Sequence, residues 1–345
     1  MTSGKVSFSE LLSRKEWILV AIFFAVILTA FLLAYFLPHD SGRNESIKMV
    51  INRGESLNSI ASRLKQEGLI RDITVFKIFT YMSGSPKSLQ AGRYTFEPSN
   101  SYYKIISRLA NGEGDKLVRI SLYDGISTIG ISRRLKSESI LVDDSLIVLA
   151  RDKEFLDSIQ FERNDLIGYL LPGSHEFFVN SSSREILTKL YGNFRKFFSD
   201  SLLTVVRKTG YSVHQVLTLA SIVEAETNHK EEMRRVAGVY LNRLRIGMKL
   251  QADPTIQFLL ADGWRRLTYR DLAINSPYNT YIYYGIPPGP INNPGKDAIL
   301  AVLNPEKHNY LFFVADSTGK HNFTTNYNDH VRLAKKYHLW LNSRD

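Results

Sequence analysis

Cysteine is absent from all 345 residues. That excludes disulfide frameworks, thiolate metal sites, iron–sulfur clusters and cysteine nucleophiles. An oxidising compartment stays open, since nothing in the chain could misoxidise there. Histidine offers little for metal binding: positions 39, 175, 214, 229, 308, 321, 330 and 338 show no H-E-x-x-H or comparable ligand spacing. No metal or other cofactor is expected, and His214, on a helical stretch, reads as a solvated or capped residue rather than a base. The G-x-x-x-x-G-K-[ST], G-x-G-x-x-G and G-x-S-x-G motifs are also missing.

Positive charge is in excess. Lys plus Arg number 44 against 34 Asp plus Glu, a net +10 that suits nucleic acid, acidic headgroups or an anionic polymer. From Trp17 to Leu37 no charge occurs in 21 positions, a run that as a helix spans about 31 Å, the thickness of a bilayer core. Trp17 and Tyr35 stand where aromatic rings favour the interface, and Pro38 closes the run. It outlasts a signal-peptide core and has no small-x-small cleavage site behind it, so a single-pass anchor is expected. Lys5, Arg14 and Lys15 before the span are nearly balanced by Arg43 and Lys48 after it. The short tail and long remainder favour a cytoplasmic N-terminus and an exported body. Export turns the positive charge away from nucleic acid and toward the cell envelope.

Beyond a polar linker, residues 39 to 46, of at most about 29 Å, Ile47 to Ile51 alternates as a strand does. Gly54, Ser56 and an amphipathic stretch with Leu57, Ile60 and Leu64 follow. The pattern returns 71 positions later, where Gly125, Ser127, Ile131, Arg134, Leu135, Lys136 and Glu138 match Gly54, Ser56, Ile60, Arg63, Leu64, Lys65 and Glu67. A strand, a glycine turn and a helix are therefore expected twice. The first copy, "GESLNSIASRL", resembles a LysM-like module, which implies a small sugar-binding β-α unit; a packing unit that merely spaces the anchor from the rest would look the same. Residues 91 to 96 read as a turn and strand. Residues 99 to 110 read as a helix with Tyr103, Ile106 and Leu109 on one face.

From Leu202 onward the texture changes to long helical periodicity and then to loops rich in Asn, Pro and aromatics, a common setting for function. Ser212 and Gln215 have capping-box spacing, and Val216, Leu219, Ala220 and Val223 make a buried stripe. One helix is expected over 212 to 226, and a second over about 231 to 246, stopping at Gly247. Both Glu224 and Glu226 flank the stripe at the first helix's end. Four prolines between Ile286 and Pro294 exclude helix or central strand and predict a rigid exposed wall.

"LASIVEAET", "VYLNRLRIGMKLQADPT", "SPYNTY", "GIPPGPINNPG" and "YLFFVADSTGKHNFTTNYNDH" resemble, in order and spacing, the membrane-anchored endolytic murein transglycosylase family, YceG-like proteins; "GYLLPGSHEF" fits a shorter upstream motif. The resemblance implies cleavage of the β-1,4 bond from N-acetylmuramic acid to N-acetylglucosamine without water, leaving a 1,6-anhydro end on nascent strands and setting strand length. One carboxyl group can serve as acid and then base, given a raised pKa. In related lytic transglycosylases and goose-type lysozymes the catalytic Glu ends a helix and precedes a small hydroxyl residue. This favours Glu226, followed by Thr227, with Glu224 as the alternative; an isolated E-x-E would be a solvated helix end.

Gln251, Asp253 and Thr255 are candidates for orienting sugar groups, although Asp253 and Pro254 would equally cap a helix starting at Thr255. Ser276, Tyr278, Asn279 and Thr280 offer hydrogen bonds beside an aromatic, or form a turn. His321, Phe323 and Asn326 complete the substrate-binding candidates. The expected fold class is α+β: an N-terminal transmembrane helix, a LysM-like β-α module and a mixed α+β catalytic domain. The divisions are 1–16 cytoplasmic tail, 17–37 transmembrane helix, 38–46 linker, 47–112 LysM-like module, 113–160 second related unit and 161–345 transglycosylase domain. Expected partners are peptidoglycan strands, the membrane and peptidoglycan synthases, with no nucleic acid. The rivals are a non-catalytic glycan-binding scaffold and a hydrolytic muramidase using Asp253 as second carboxylate.

Overall fold

The computed structural model describes residues 13–40, 42, 44–84, 89–260 and 265–342. The tail through residue 12, with Lys5, and Arg43 of the linker lie outside them. The chain divides into two compact units, Met1–Leu117 and Val118–Asp345.

In the first unit the apolar run folds as α1 (Arg14–Phe36), opened by a capping box in which Ser13 and Glu16 satisfy each other's N–H groups. Among the described residues it is the one helix long and apolar enough to cross a membrane. It stops as Leu37 turns extended ahead of Pro38, whose ring disfavours helical backbone in the residue before it. Then β1 (His39–Asp40) pairs antiparallel with β4 (Ser99–Asn100), so part of the expected linker is strand rather than free tether. β2 (Ile47–Ile51) pairs antiparallel with β3 (Gly92–Phe96), Met49 opposite Tyr94. The period of two sends Ile47, Met49 and Ile51 inward and Lys48 outward. Against this strand pair pack α2 (Leu57–Gln66), α3 (Ile73–Met82) and α4 (Tyr102–Asn111), with Leu64, Phe76, Tyr94, Phe96 and Leu109 fully enclosed. The helix expected from residue 99 begins at Tyr102, because Ser101 caps it after the short strand. Its buried face is therefore Tyr102, Ile105, Ile106 and Leu109, and Tyr103 lies outside.

β5 (Leu117–Leu122) and α5 (Thr128–Ser137) replay β2 and α2. Gly54 and Gly125 both take left-handed backbone, at φ 79° and 78°, Ser56 and Ser127 both cap, and both copies bury their Ile and Leu. The repeated strand, turn and helix read from the sequence is present in both units.

In the second unit β5 pairs with β6 (Gly173–Phe178). The short helices α6 (Leu146–Leu149) and α7 (Lys153–Ser158) precede that strand, and α8 (Ser183–Phe197) and α9 (Asp200–Thr209) follow it. The centre is α10 (Val213–Glu226), buried continuously from Val216 to Val223. Its Ser212–Gln215 capping box is present as the spacing predicts. α11 (Lys230–Arg245), short α12 (Asp253–Gln257) and α13 (Lys296–Leu303) pack around it. A hairpin, β7 (Phe312–Ala315) with β8 (His321–Thr324), precedes α14 (Tyr327–Asn342).

The proline-rich stretch is a correction: from Gly289 to Gly295 it is buried, not an exposed wall. Asn293 Oδ1 accepts the N–H groups of Gly168 and Leu170 at 2.8 and 3.2 Å, and its Nδ2 donates to the Ile126 carbonyl at 2.8 Å. Ser221 on α10 accepts the Ile291 N–H at 3.0 Å. Prolines keep this segment extended, and its amides supply the backbone partners a sheet would otherwise give. It clamps three distant pieces of chain together, at Ile126, at residues 168–170 and at Ser221.

Candidate active site

The last turn of α10 carries both glutamates. Two residues along a helix are about 200° apart around its axis, so they face opposite ways. Glu224 accepts the Gly295 N–H at 2.8 Å and sits among Asp124, Lys230 and Asp297. Burial pushes its carboxyl up to about 7, the Gly295 bond and Lys230 opposing and the two aspartates adding to the rise.

Glu226 faces a pocket of about 310 Å³ whose walls include Arg243, Asp253, Tyr281, Phe312 and Tyr327. Tyr240 on α11 donates its hydroxyl to Glu226 Oε1. Part of the carboxyl opens on the pocket while protein atoms crowd its other sides. That desolvation, with a smaller push from Asp253, lifts it to about 7 against the opposing Tyr240 bond and Arg243 charge. Burial and the neighbouring Glu226 drive the Tyr240 hydroxyl well above its ordinary value, so it stays a donor. The Arg243 guanidinium is pinned by the carbonyls of Leu311, at 2.7 Å, and Leu250, which fixes the floor. A larger hollow of about 630 Å³ lies over Asp124, His175 and Lys296. There Lys230 bridges Asp124 and Asp297, and Lys296 lies over the Phe197 ring. The smaller pocket combines a protonatable carboxyl with aromatic walls, the composition a sugar site uses.

Of the sequence candidates, Gln251 and Asp253 line this pocket, and Asp253 accepts a hydrogen bond from Tyr281. Thr255 is fully buried, bonded to the Ala252 carbonyl and to Thr280, and so braces the start of α12. Ser276 and Asn279 build a turn: Asn279 is enclosed, donates to the Leu272 and Ile274 carbonyls and accepts the Tyr281 N–H. Its work is to present Tyr281. Tyr278 stacks near Phe258, 5.0 Å between ring centres, away from the pocket lining. His321 bonds the buried Glu232 at 2.9 Å through Nδ1, and Glu232 also meets Thr227, the residue after Glu226. Phe323 stacks under Arg235, and Asn326 caps α14 through Asp329. α12 itself starts at Asp253, one turn edge earlier than the sequence suggests.

Tyr240, Arg243, Tyr281, Phe312, Phe313, Tyr327 and His330 were not read from the sequence as site residues. Tyr240 carried a usable signal, a phenol on an otherwise aliphatic stripe. Arg243 lies one turn further along the same helix, and the others arrive from a turn, a hairpin and the last helix, so only the fold brings them together.

Chemically, this pocket holds one carboxyl able to keep a proton near neutrality, with one oxygen fixed by a phenol and the other free to exchange a proton. Among the described residues no cluster of His, Asp or Glu is arranged for a metal ion.

Residues 49–336 match the YceG-like family. The endolytic murein transglycosylase of Bacillus subtilis strain 168 is 31% identical over 314 residues, covering 87% of each chain. That of Streptococcus pneumoniae serotype 2 strain D39 is 26% identical over 356 aligned positions, covering 92% of this chain and 64% of the pneumococcal protein. A crystal structure of a YceG-like protein from Listeria monocytogenes superposes with a TM-score of 0.58 at 28% identity, covering 84% of this chain and 99% of that one.

Proposed function

The chain belongs to the YceG-like family, and from that premise we propose that it is an endolytic peptidoglycan lytic transglycosylase with Glu226 as its one acid–base group. The observation that carries this is the Glu226 carboxyl, lifted to about 7 and held by Tyr240 over an aromatic pocket. With Oε1 occupied by the phenol, Oε2 gives its proton to the glycosidic oxygen as the bond to the muramyl anomeric carbon breaks. The carboxylate then takes the proton of the muramyl 6-hydroxyl as that oxygen closes on the same carbon, leaving a 1,6-anhydro end and a reprotonated Glu226. No water is consumed. Arg243 and the Tyr240 donor stabilise the transient carboxylate, and Asp253 across the pocket faces the developing positive charge on the sugar ring.

In this reading α1 is a single-pass anchor with the N-terminus cytoplasmic, the bacterial inner membrane is the site of action, and nascent strands are cut close to it. Strand length would then be set by cutting near the point of synthesis, and synthases of the same membrane are the natural partners. Residues 47–112 act as the LysM-like glycan-binding module, 113–160 as its second copy and 161–345 as the catalytic domain.

Mass spectrometry of products from purified glycan strands tests this: anhydro ends are expected. Reducing ends would mark a hydrolytic muramidase with Asp253 engaged, for which its place on the same pocket is the supporting observation. Binding without cleavage would mark a scaffold.

A further inference from the structure

The end of α1 does not stand free in the first unit. Phe31 lies 4.7 Å, ring centre to ring centre, from Phe79 of α3, and Tyr35 is 4.7 Å from the same ring. Tyr35 and Phe36 also meet Tyr103 of α4, at 5.7 and 5.1 Å. Phe31 is six residues before the end of the uncharged run, about 9 Å along the helix axis.

Depth follows from that register. If the bilayer ended above Phe31, fourteen residues from Trp17 to Ala30 would remain, about 21 Å, too short for a hydrocarbon core of about 30 Å. The charged Arg14, Lys15 and Glu16 prevent the helix from sliding inward to compensate. The run must stay immersed to its end, and Phe79 with it, several ångström inside the outer boundary.

The surface around Phe79 suits that position. On its outer side α3 presents Ile78, Tyr81 and Met82, exposed by 47, 62 and 66%, and Tyr103 of α4 is 48% exposed. Lys77 is the one charge on α3, and Lys104 follows Tyr103; both have stems long enough to reach headgroup phosphates from an immersed backbone. Apolar and tyrosine side chains edged by lysine are the composition of an interfacial helix.

We propose that the C-terminal half of α3, with Tyr103, is a second membrane contact, lying in the headgroup and acyl boundary beside α1 and fixing the small unit on the lipid surface. The proposal rests on reading α1 as a membrane span. Because the chain has no cysteine, single cysteines can be introduced in the full-length protein and labelled with an environment-sensitive nitrobenzoxadiazole. The protein is then placed in phosphatidylcholine and phosphatidylglycerol vesicles carrying a nitroxide near the headgroup end of the acyl chain. Labels at Tyr81→Cys and Met82→Cys should be strongly quenched and blue-shifted, whereas Asn58→Cys, exposed on α2, should be neither. Val26→Cys, in the middle of α1, reports the span independently with a mid-chain nitroxide. Quenching at 26 with labels 81 and 82 behaving like 58 would overturn the proposal and leave the anchor standing. No quenching at 26 would overturn the span and the proposal with it. Labels 81 and 82 shielded from aqueous iodide yet untouched by nitroxide lipid would make a second copy of the chain the occupant, and would also overturn it.

Discussion

Glu224 and Glu226 have the same side chain, similar proton affinities and opposite outlooks, and their substitution should separate them. Glu226→Gln keeps an acceptor for Tyr240 but cannot carry the proton, so cleavage should fall by at least the ~10²–10⁴-fold typical of a general acid–base group. Glu224→Gln keeps an acceptor for the Gly295 N–H and should remain active; turnover on purified strands checks both. In the proposed mechanism Glu226 enters the reaction protonated, so activity should decline as pH rises through about 7, and kcat against pH in the wild type should show that limb. Stability has the same direction. The folded state holds protons on both carboxyls that the unfolded chain has released above about 4.5, so stability should fall between pH 4.5 and 7. Glu224→Gln should remove up to about 3 kcal/mol of that loss, read as a smaller drop in melting temperature between pH 5 and pH 8. The E-x-E at a helix end was legible in the sequence, and so was Asp253. What the sequence did not reveal is which of the two carboxyls meets the pocket, since that depends on which neighbours fill each side.

Among the elements, the repeated strand–turn–helix and the boundaries of α10 were readable because each is decided locally, by a glycine turn, a serine cap and an apolar stripe. The proline-rich segment was misjudged because its partners lie far away in the chain, and proline alone says only what it cannot be. Its seat demands glycine at 168: the backbone there has φ +85°, and a Cβ would stand 2.4 Å from Pro290. Gly168→Ala should therefore destabilise the second unit by roughly 1–3 kcal/mol through overpacking and backbone strain, measured as a lowered melting temperature. Tyr103 was likewise misplaced: Tyr102, Ile105, Ile106 and Leu109 share the buried stripe, and Tyr103 lies at its edge, on the exposed side.

For the molecule as a whole, the pocket belongs entirely to Val118–Asp345, while α1 belongs to the other unit. Deleting residues 1–37 should leave catalysis on purified strands intact, but it strips Phe31 and Tyr35 from Phe79 and leaves an apolar surface. Binding of a hydrophobic dye should rise in this truncation while turnover does not fall; an inactive but folded truncation would show that the anchor contributes more than location. The clamp at Asn293 has one more consequence, in time rather than space. Its bonds reach back 167 residues to Ile126 and 125 to Gly168, and Phe312, Phe313, Tyr327 and His330 of the pocket come later still. Long-range closure of this kind is slow and cannot precede the arrival of its last segment. In a chain made N-terminus first, Glu226 thus exists before the residues that wall it, and its raised proton affinity can arise only once Phe312 through His330 have been made.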